Sequence, residues 1–359
     1  SLSHCAVPIC KIMAKSVFFS ACLALGAASE VFVMLPLNTV SDSGSLTDQS
    51  GLSYQLDQLN SAGVDGFMAD MWWGVTEPSS RSYKFDAYKN LVNMAKNRGM
   101  KVQFVTSFHQ CGGNVGDECN IPIPSFASSE NGIWYKDQFG NEDKEYISLF
   151  ADNVTVDGRT PLQMYSDWFS AFSDSFAGDI GSTITELQVG MGPAGELRYP
   201  AYQLAHWSFC GVGAFQVWDE HALSSFRSAA IAAGHSEWNS PPTDAGNYNI
   251  QPGETSFFSS GYQSDYGHFF LDWYFQSLKD HGNAVLGSAR AVFGNRLGLA
   301  AKVSGIHWWY KSSHHAAELT AGYYNANQRD AYAELADMFA THDTSVDFTC
   351  LEMKDSKQP

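Results

Sequence analysis

The chain has 359 residues, of which 44% are hydrophobic and 16% are charged, a composition typical of a globular protein with a large buried core. Its 38 acidic and 21 basic residues give a formal net charge of −17. A negative field repels phosphate backbones and anionic lipid surfaces, which argues against nucleic-acid and membrane partners and favours a neutral substrate. Aromatic residues reach 14%, a content that suits either a large core or a site for sugar rings.

The first 29 residues have the features of a leader. Ser16–Leu25 is an apolar run that follows Lys15 and precedes small residues, and it is too short to span a bilayer. This pattern predicts a secretory signal peptide at 13–29, the alternative being a disordered or buried apolar segment. We therefore expect a leader at 1–29 and one further domain at 30–359. Secretion is the expected location, with the cytoplasm or a plastid as alternatives.

Four of the seven cysteines follow the leader, at Cys111, Cys119, Cys210 and Cys350. No Cys-x-x-Cys pair occurs, so the sequence gives no support for a zinc site, and we expect no metal. A disulfide between Cys111 and Cys119 would be compatible with secretion, but free thiols are the preferred prediction.

From Val31 onward, strand-like and helix-like segments alternate, which favours a parallel α/β architecture. The predicted strands are Val31–Leu37, Gly66–Gly74, Lys101–His109, a segment starting at Ile184, Leu299–Trp309 and Val346–Met353. The predicted helices are Asp48–Ala62, Phe85–Arg98, Pro161–Ala177, Gly213–Ala233, Tyr266–Phe293 and Arg329–His342. A long polar loop is expected from 110 to about 160. Because the long excursions follow strands, the pattern is typical of a barrel whose active face is built from loops at the carboxyl ends of its strands.

The segment Ile184–Tyr202 contains the clearest functional signal. Its first residues read as a strand, and a run rich in glycine and proline begins at Gly190. Glu196 follows that run, with Arg198 and two tyrosines close behind. Most acidic residues are solvated surface charges, but a carboxylate presented just beyond a strand end is placed as a catalytic acid is in a barrel enzyme.

Other polar residues lie within or at the ends of the neighbouring predicted strands. Asp70 lies inside an apolar strand, and the others are His109, Lys302, His307 and Thr349. Each of these taken singly reads as a satisfied core residue, an extended lysine or a capping group. Polar groups at the ends of successive strands are better explained together, as the lining of one binding site.

Several long motifs resemble β-amylase, glycoside hydrolase family 14. They are MLPLN, GVDGFMADMWWG, SFHQCGGNVGDECNIPIP, VGMGPAGELRYP, AAKVSGIHWWY, HHAAELTAGYYN and FTCLEMKDS, and the resemblance runs from about Val31 to the last residue. It implies a (β/α)8 TIM barrel, with about six of the eight strands present in this chain. It also implies an exo-acting hydrolase that releases β-maltose from the non-reducing ends of α-1,4-glucans such as starch, with inversion and without a cofactor.

The resemblance carries over to individual residues. Glu196 matches the general acid of the family. The positions that match its substrate-binding residues are Asp70, His109, Asp117, Lys302, His307 and Thr349. Gly112–Asp117 matches a mobile loop that closes over the sugar, and Thr349–Met353 matches an inner loop beside the scissile bond. The expected partner is the α-1,4-glucan, with no obligate protein partner.

The chain departs from the family pattern in one respect. An inverting glycosidase needs a second carboxylate as general base, which in β-amylases lies in a Gly-Glu-Asn-Ala-Leu segment, and no such segment occurs here. We therefore expect a truncated form that folds poorly alone, with its base beyond Pro359. One alternative is a non-hydrolytic starch-binding or regulatory relative. Another is a retaining glycosidase that pairs Glu196 with Glu186 or Glu352.

Overall fold

The computed structural model describes residues 29–114 and 116–351. Two units are distinguished, Ser1–Glu30 and Val31–Pro359, and every element named below belongs to the second. The predicted signal peptide lies outside the described residues except for Ser29, and Glu352 also lies outside them. The boundary between a leader at 1–29 and the domain at 30–359 therefore stays a prediction.

Six parallel strands form the central sheet, and two short strands form a separate antiparallel hairpin. In chain order the strands are β1 (Phe32–Met34), β2 (Gly66–Trp72), β3 (Lys101–Ser107), β4 (Trp134–Lys136), β5 (Glu142–Ile147), β6 (Ile184–Val189), β7 (Gly298–Val303) and β8 (Thr344–Phe348). The sheet order is β1-β2-β3-β6-β7-β8, so each of its strands pairs with the next sheet strand along the chain. This arrangement is that of consecutive strands of a (β/α)8 barrel and confirms the predicted fold class.

Helices lie between consecutive strands of the six-stranded sheet, as parallel crossovers require. They are α1 (Gln49–Ser61), α2 (Trp73–Thr76), α3 (Asp86–Lys96), α4 (Pro161–Ser175), α5 (Glu220–Ala232), α6 (Ser256–Ser259), α7 (Asp265–Phe293), α8 (Ala316–Ala321) and α9 (Ala331–Thr341). The start of α4 shows why the helices begin where they do: Thr160 and Gln163 form a reciprocal capping box around Pro161. Within the described residues, no helix is both long and apolar enough to cross a membrane.

The core lies between the sheet and its helices and contains many of the aromatic side chains. Phe104 of β3 packs against Phe172 and Phe176, at ring-centroid distances of 6.2 Å each. Trp168 stacks on Phe172 at 5.5 Å and meets Phe85 edge-on at 5.7 Å. Such offset and edge-to-face pairs stabilise a core beyond the area they bury, so most aromatic residues need no role in ligand binding.

Three predicted boundaries are wrong in instructive ways. The predicted helix Gly213–Ala233 begins only at Glu220, because Asp219 caps it by accepting a hydrogen bond from the Ala222 amide at 2.9 Å. The fifth predicted strand ends at Val303, before the loop that carries His307. The sixth starts earlier than predicted, at Thr344, and the long polar loop contains the hairpin β4–β5.

Candidate active site

The turn after β6 folds back on the neighbouring backbone. A Cβ atom added at Gly190 would lie 2.0 Å from the carbonyl oxygen of Thr106, and one at Gly192 would lie 2.3 Å from that of Glu196. Only glycine permits such close approach, so these two residues set the path that brings Glu196 to the end of the sheet. The Leu197 amide then donates to the Lys302 carbonyl at 2.9 Å, which joins this segment to strand β7.

Glu196 is buried, with 7% of its surface exposed, and both carboxylate oxygens have a partner. Arg198 Nε donates to Oε2 at 2.6 Å, and Thr349 Oγ1 donates to Oε1 at 3.2 Å. The Arg198 guanidinium also lies 4.2 Å from the centre of the Tyr202 ring. These contacts fix the carboxyl group in one orientation, as a proton donor aimed at a substrate atom must be.

Gly305 holds Thr349 in position. The Gly305 amide donates to Thr349 Oγ1 at 2.8 Å, and a Cβ at position 305 would lie 1.8 Å from the Thr349 carbonyl oxygen. Glycine at position 305 is therefore required for Thr349 to approach Glu196 as closely as it does.

A cavity of about 540 Å³ lies at the carboxyl ends of the strands. The predicted binding residues Asp70, His109, Asp117 and Lys302 all line it, together with Thr349. Ser107 Oγ donates to Asp70 Oδ1 at 2.6 Å, but the buried atoms Asp70 Oδ2 and His109 Nδ1 have no hydrogen-bond partner among the described residues. Two unpartnered buried polar atoms in one cavity indicate that a polar ligand completes them.

Burial controls the charge of these groups. It lowers the pKa of His109 to about 3, with Lys302 and Arg198 acting in the same direction, so the imidazole is neutral at ordinary pH. Burial also raises the pKa of Asp70, an effect opposed by the hydrogen bond from Ser107 and by the charge of Lys302. A neutral imidazole beside carboxyl groups suits the hydroxyls of an uncharged sugar, because these groups can donate and accept hydrogen bonds.

A second cavity of about 440 Å³ adjoins the first. It is lined by Glu196 and His307 and by the aromatic rings of Tyr202, Trp207, Phe209 and Trp308. Asn114, Ala194 and Thr349 line both cavities and mark where they meet. The first cavity is thus rich in hydrogen-bonding groups, the second presents ring faces, and Glu196 lies beside their junction.

The loop Gly112–Asp117 borders the first cavity. Asp117 Oδ2 accepts hydrogen bonds from the amides of Gly112 and Asn114, at 2.8 and 3.0 Å. A disulfide joins Cys111 to Cys119, so the preference for free thiols was wrong. The physical reason is an antiparallel bridge between Cys111 and Ile121, which brings the two cysteine Cα atoms to 5.6 Å.

The structure brings the predicted acid and all six predicted binding residues into the lining of the two adjoining cavities. Glu186 lines neither cavity; it lies on β6, two residues before Gln188, which lines the first. Sequence reasoning gave no role to Asn114, Arg198 or Glu145, although the first two stand inside motifs of the resemblance. No group of acidic, histidine and cysteine side chains fit to hold a metal occurs in the described part of the chain.

Comparison with known proteins identifies the family. The model of glycosyl hydrolase family 14 matches residues 32–359. Beta-amylase 1, chloroplastic, of Oryza sativa subsp. japonica is 48% identical over 99% of this chain and 69% of its own length. The chloroplastic beta-amylase 1 of Arabidopsis thaliana is also 48% identical, over 93% of this chain and 60% of its own length, so the chain spans well under the full length of both relatives.

A solved structure agrees with this result. The catalytic domain of beta-amylase from Paenibacillus polymyxa superposes with a TM-score of 0.76 at 32% identity, over 91% of this chain and 77% of that one. The chain belongs to glycosyl hydrolase family 14.

Proposed function

We propose that the protein containing this chain hydrolyses the α-1,4-glucosidic bonds of starch and related glucans and releases β-maltose from their non-reducing ends. The observation that carries this proposal is the position of Glu196, a buried carboxyl group beside the junction of a polar cavity and an aromatic cavity. A glucan chain that runs through both places a glycosidic bond at that junction.

In this arrangement Glu196 acts as the general acid. It donates its proton to the glycosidic oxygen as the bond to the anomeric carbon breaks, so that the departing sugar leaves as a neutral alcohol. Inversion requires a second carboxylate about 6.5–9.5 Å away, with a water molecule between it and the sugar. That base is not among the residues assigned here, and the motif expected to contain it does not occur in the sequence.

The sugar removed as maltose occupies the first cavity. Asp70 Oδ2 and His109 Nδ1 form hydrogen bonds with the hydroxyls of this sugar. Lys302 and Asp117 complete the polar lining of the cavity. The remaining glucan leaves through the second cavity, past His307, where ring faces contact the apolar faces of successive sugars.

The relatives favour an enzyme over the non-hydrolytic alternative, because those compared are named as beta-amylases. Retention through Glu186 is disfavoured because that carboxyl group lies outside both cavities, and Glu352 is not among the described residues. Two of the relatives are named chloroplastic, which supports the plastid alternative rather than secretion.

The test is the variant Glu196→Gln, made in the protein expressed from its complete gene. We expect maltose release from soluble starch to fall by about 10³-fold, the usual contribution of a positioned general acid. Maltose affinity, measured by isothermal titration calorimetry, should stay within about twofold because glutamine preserves the shape and its amide oxygen can still accept the hydrogen bond from Arg198.

The matched control is Glu130→Gln, at an exposed glutamate, which should leave both quantities unchanged. NMR of the first product formed should show β-maltose. Unchanged turnover in Glu196→Gln, or α-maltose as the first product, would contradict the proposal.

A further inference from the structure

Glu145 is a buried carboxyl group that the proposed mechanism does not use. It lies on β5, in the hairpin outside the six-stranded sheet, and only 6% of its surface is exposed. A buried carboxyl group is costly unless its surroundings satisfy it, so its contacts are informative.

Those contacts join two separate loops of the site. Glu145 Oε1 accepts hydrogen bonds from the Ala194 amide, at 2.6 Å, and from Asn114 Nδ2. The Glu145 carbonyl oxygen accepts from the Gln110 amide at 2.8 Å, two residues before the loop Gly112–Asp117. Glu145 therefore contacts the segment that leads into that loop, Asn114 within it, and the turn that presents the acid.

The contact with Ala194 bears directly on the acid. Ala194 has φ 53° and ψ 22°, the left-handed region that non-glycine residues rarely adopt, and Glu196 follows two residues later. Such a conformation persists only where its surroundings hold it. Here the Ala194 amide is held by Glu145, and its carbonyl oxygen accepts from Lys302 Nζ at 3.0 Å.

The contact with Asn114 leads to the same carboxyl group by another path. Asn114 Oδ1 accepts a hydrogen bond from Arg198 Nη2 at 3.4 Å, and Arg198 is the ion-pair partner of Glu196. When the loop lies in the position described, Glu145 therefore reaches Glu196 through Asn114 and Arg198 as well as through Ala194.

The charges around Glu145 determine its protonation. Burial raises its pKa, and the carboxyl groups of Asp143 and Asp117 act in the same direction, whereas Arg198 and the Ala194 amide oppose the shift. The net shift is upward, so Glu145 carries a proton around neutral pH. Both donors reach Oε1.

We propose that Glu145 is a positioning residue that couples docking of the loop Gly112–Asp117 to the placement of the proton donor Glu196. The proposal rests on the function proposed above. It predicts that ordering of the loop and ordering of the turn before Glu196 are gained and lost together.

The test compares Glu145→Ala with Glu145→Gln in the protein expressed from its complete gene. Alanine removes the shared acceptor, so amide hydrogen exchange should rise in both 112–117 and 194–196, and kcat on soluble starch should fall by about tenfold or more. Glutamine keeps a side-chain oxygen that accepts both hydrogen bonds and has no ionisable group. It should therefore restore slow amide exchange in both segments and near-normal kcat.

Exchange that rises only in 112–117, or an equal loss of kcat in both variants at neutral pH, would overturn the proposal. Glu130→Ala is the matched control and should change neither quantity. Hydrogen exchange is measured without substrate, so the coupling is decided even if starch is not hydrolysed. In that case the proposed function fails and the coupling is judged by itself.

Discussion

At the scale of single residues, the site combines ionisable groups whose surroundings allow them different charges. Arg198 donates a hydrogen bond to the buried carboxyl group of Glu196, whereas His109 is held neutral by burial. Glu145 stands within reach of Asp143 and Arg198 and retains a proton, because the low-polarity surroundings disfavour another anion. The site therefore presents a neutral imidazole together with acidic and basic side chains, groups that can hydrogen-bond the hydroxyls of an uncharged glucan.

This protonation gives a pH dependence of stability with a definite sign. Burial raises the pKa of Glu145 from 4.5 to about 8, so the unfolded chain releases the proton at lower pH than the folded protein does. The contribution is complete below about pH 4.5 and is lost as pH rises through about 8. Urea unfolding at pH 5 and at pH 9 gives the free energy of unfolding at each pH. The wild type should lose more of this free energy between the two pH values than Glu145→Gln does, by at least about 1 kcal/mol.

An equal loss of stability in both proteins would show that Glu145 is ionised already at neutral pH. Asp337→Asn serves as the control, because Asp337 lies exposed on α9 and its replacement should not alter the difference between the two pH values.

Sequence reasoning reached Glu196 because glycine-rich backbone after an apolar strand is a local pattern. It did not reach Glu145, because that residue lies in EDKEYI, where alternating charges look like an exposed loop. What makes Glu145 important is a set of contacts with residues 49 and 31 positions away, at Ala194 and Asn114, and no local pattern reports such contacts.

At the scale of elements, the buried strands were predicted best. Continuous apolar runs such as β2 and β3 are typical of sheets covered on both faces, and their starting residues were predicted correctly. The end of the sheet was predicted less well because apolar residues continue past Phe348 into the inner loop, so the run did not show where pairing stops.

The disulfide across the base of the loop Gly112–Asp117 leads to a prediction of its own. It closes a short ring around residues that line the first cavity. Closing this ring lowers the entropy of the unfolded chain, which stabilises the folded protein by about 2 kcal/mol. The variant Cys119→Ser should therefore unfold at lower temperature, show faster amide exchange in 112–117 and bind maltose about threefold more weakly.

Treatment of the wild type with dithiothreitol should reproduce these changes, whereas it should have no effect on Cys119→Ser. Cys210→Ser is the control, since Cys210 takes part in no disulfide among the described residues. Equal maltose affinity in oxidised and reduced wild type would mean that the loop is positioned without the disulfide.

At the scale of the whole molecule, the family and the partial barrel were both predicted from long motifs and from the order of elements. The net charge carried no information on the fold, but it bears on behaviour in solution. With a net charge of −17, like charges repel one another over the surface, and dissolved salt screens that repulsion within about 10 Å at 0.1 M.

Raising sodium chloride from 0.01 to 0.2 M should therefore raise the midpoint of thermal unfolding by a few degrees, measured by differential scanning calorimetry. Maltose affinity should change by less than about twofold over the same range, because a neutral ligand gains nothing from the field of the protein. A large change of maltose affinity with salt would contradict this expectation.

The contact between Gly305 and Thr349 has a consequence for mutational tolerance. Because any side chain at position 305 would displace the Thr349 backbone, the two positions are not free to vary independently. A saturation library at position 305, screened for growth on a glucan, should return glycine alone. Recovery of substitutions there would require compensating changes in the inner loop, so engineering of this loop has to begin with both positions randomised together.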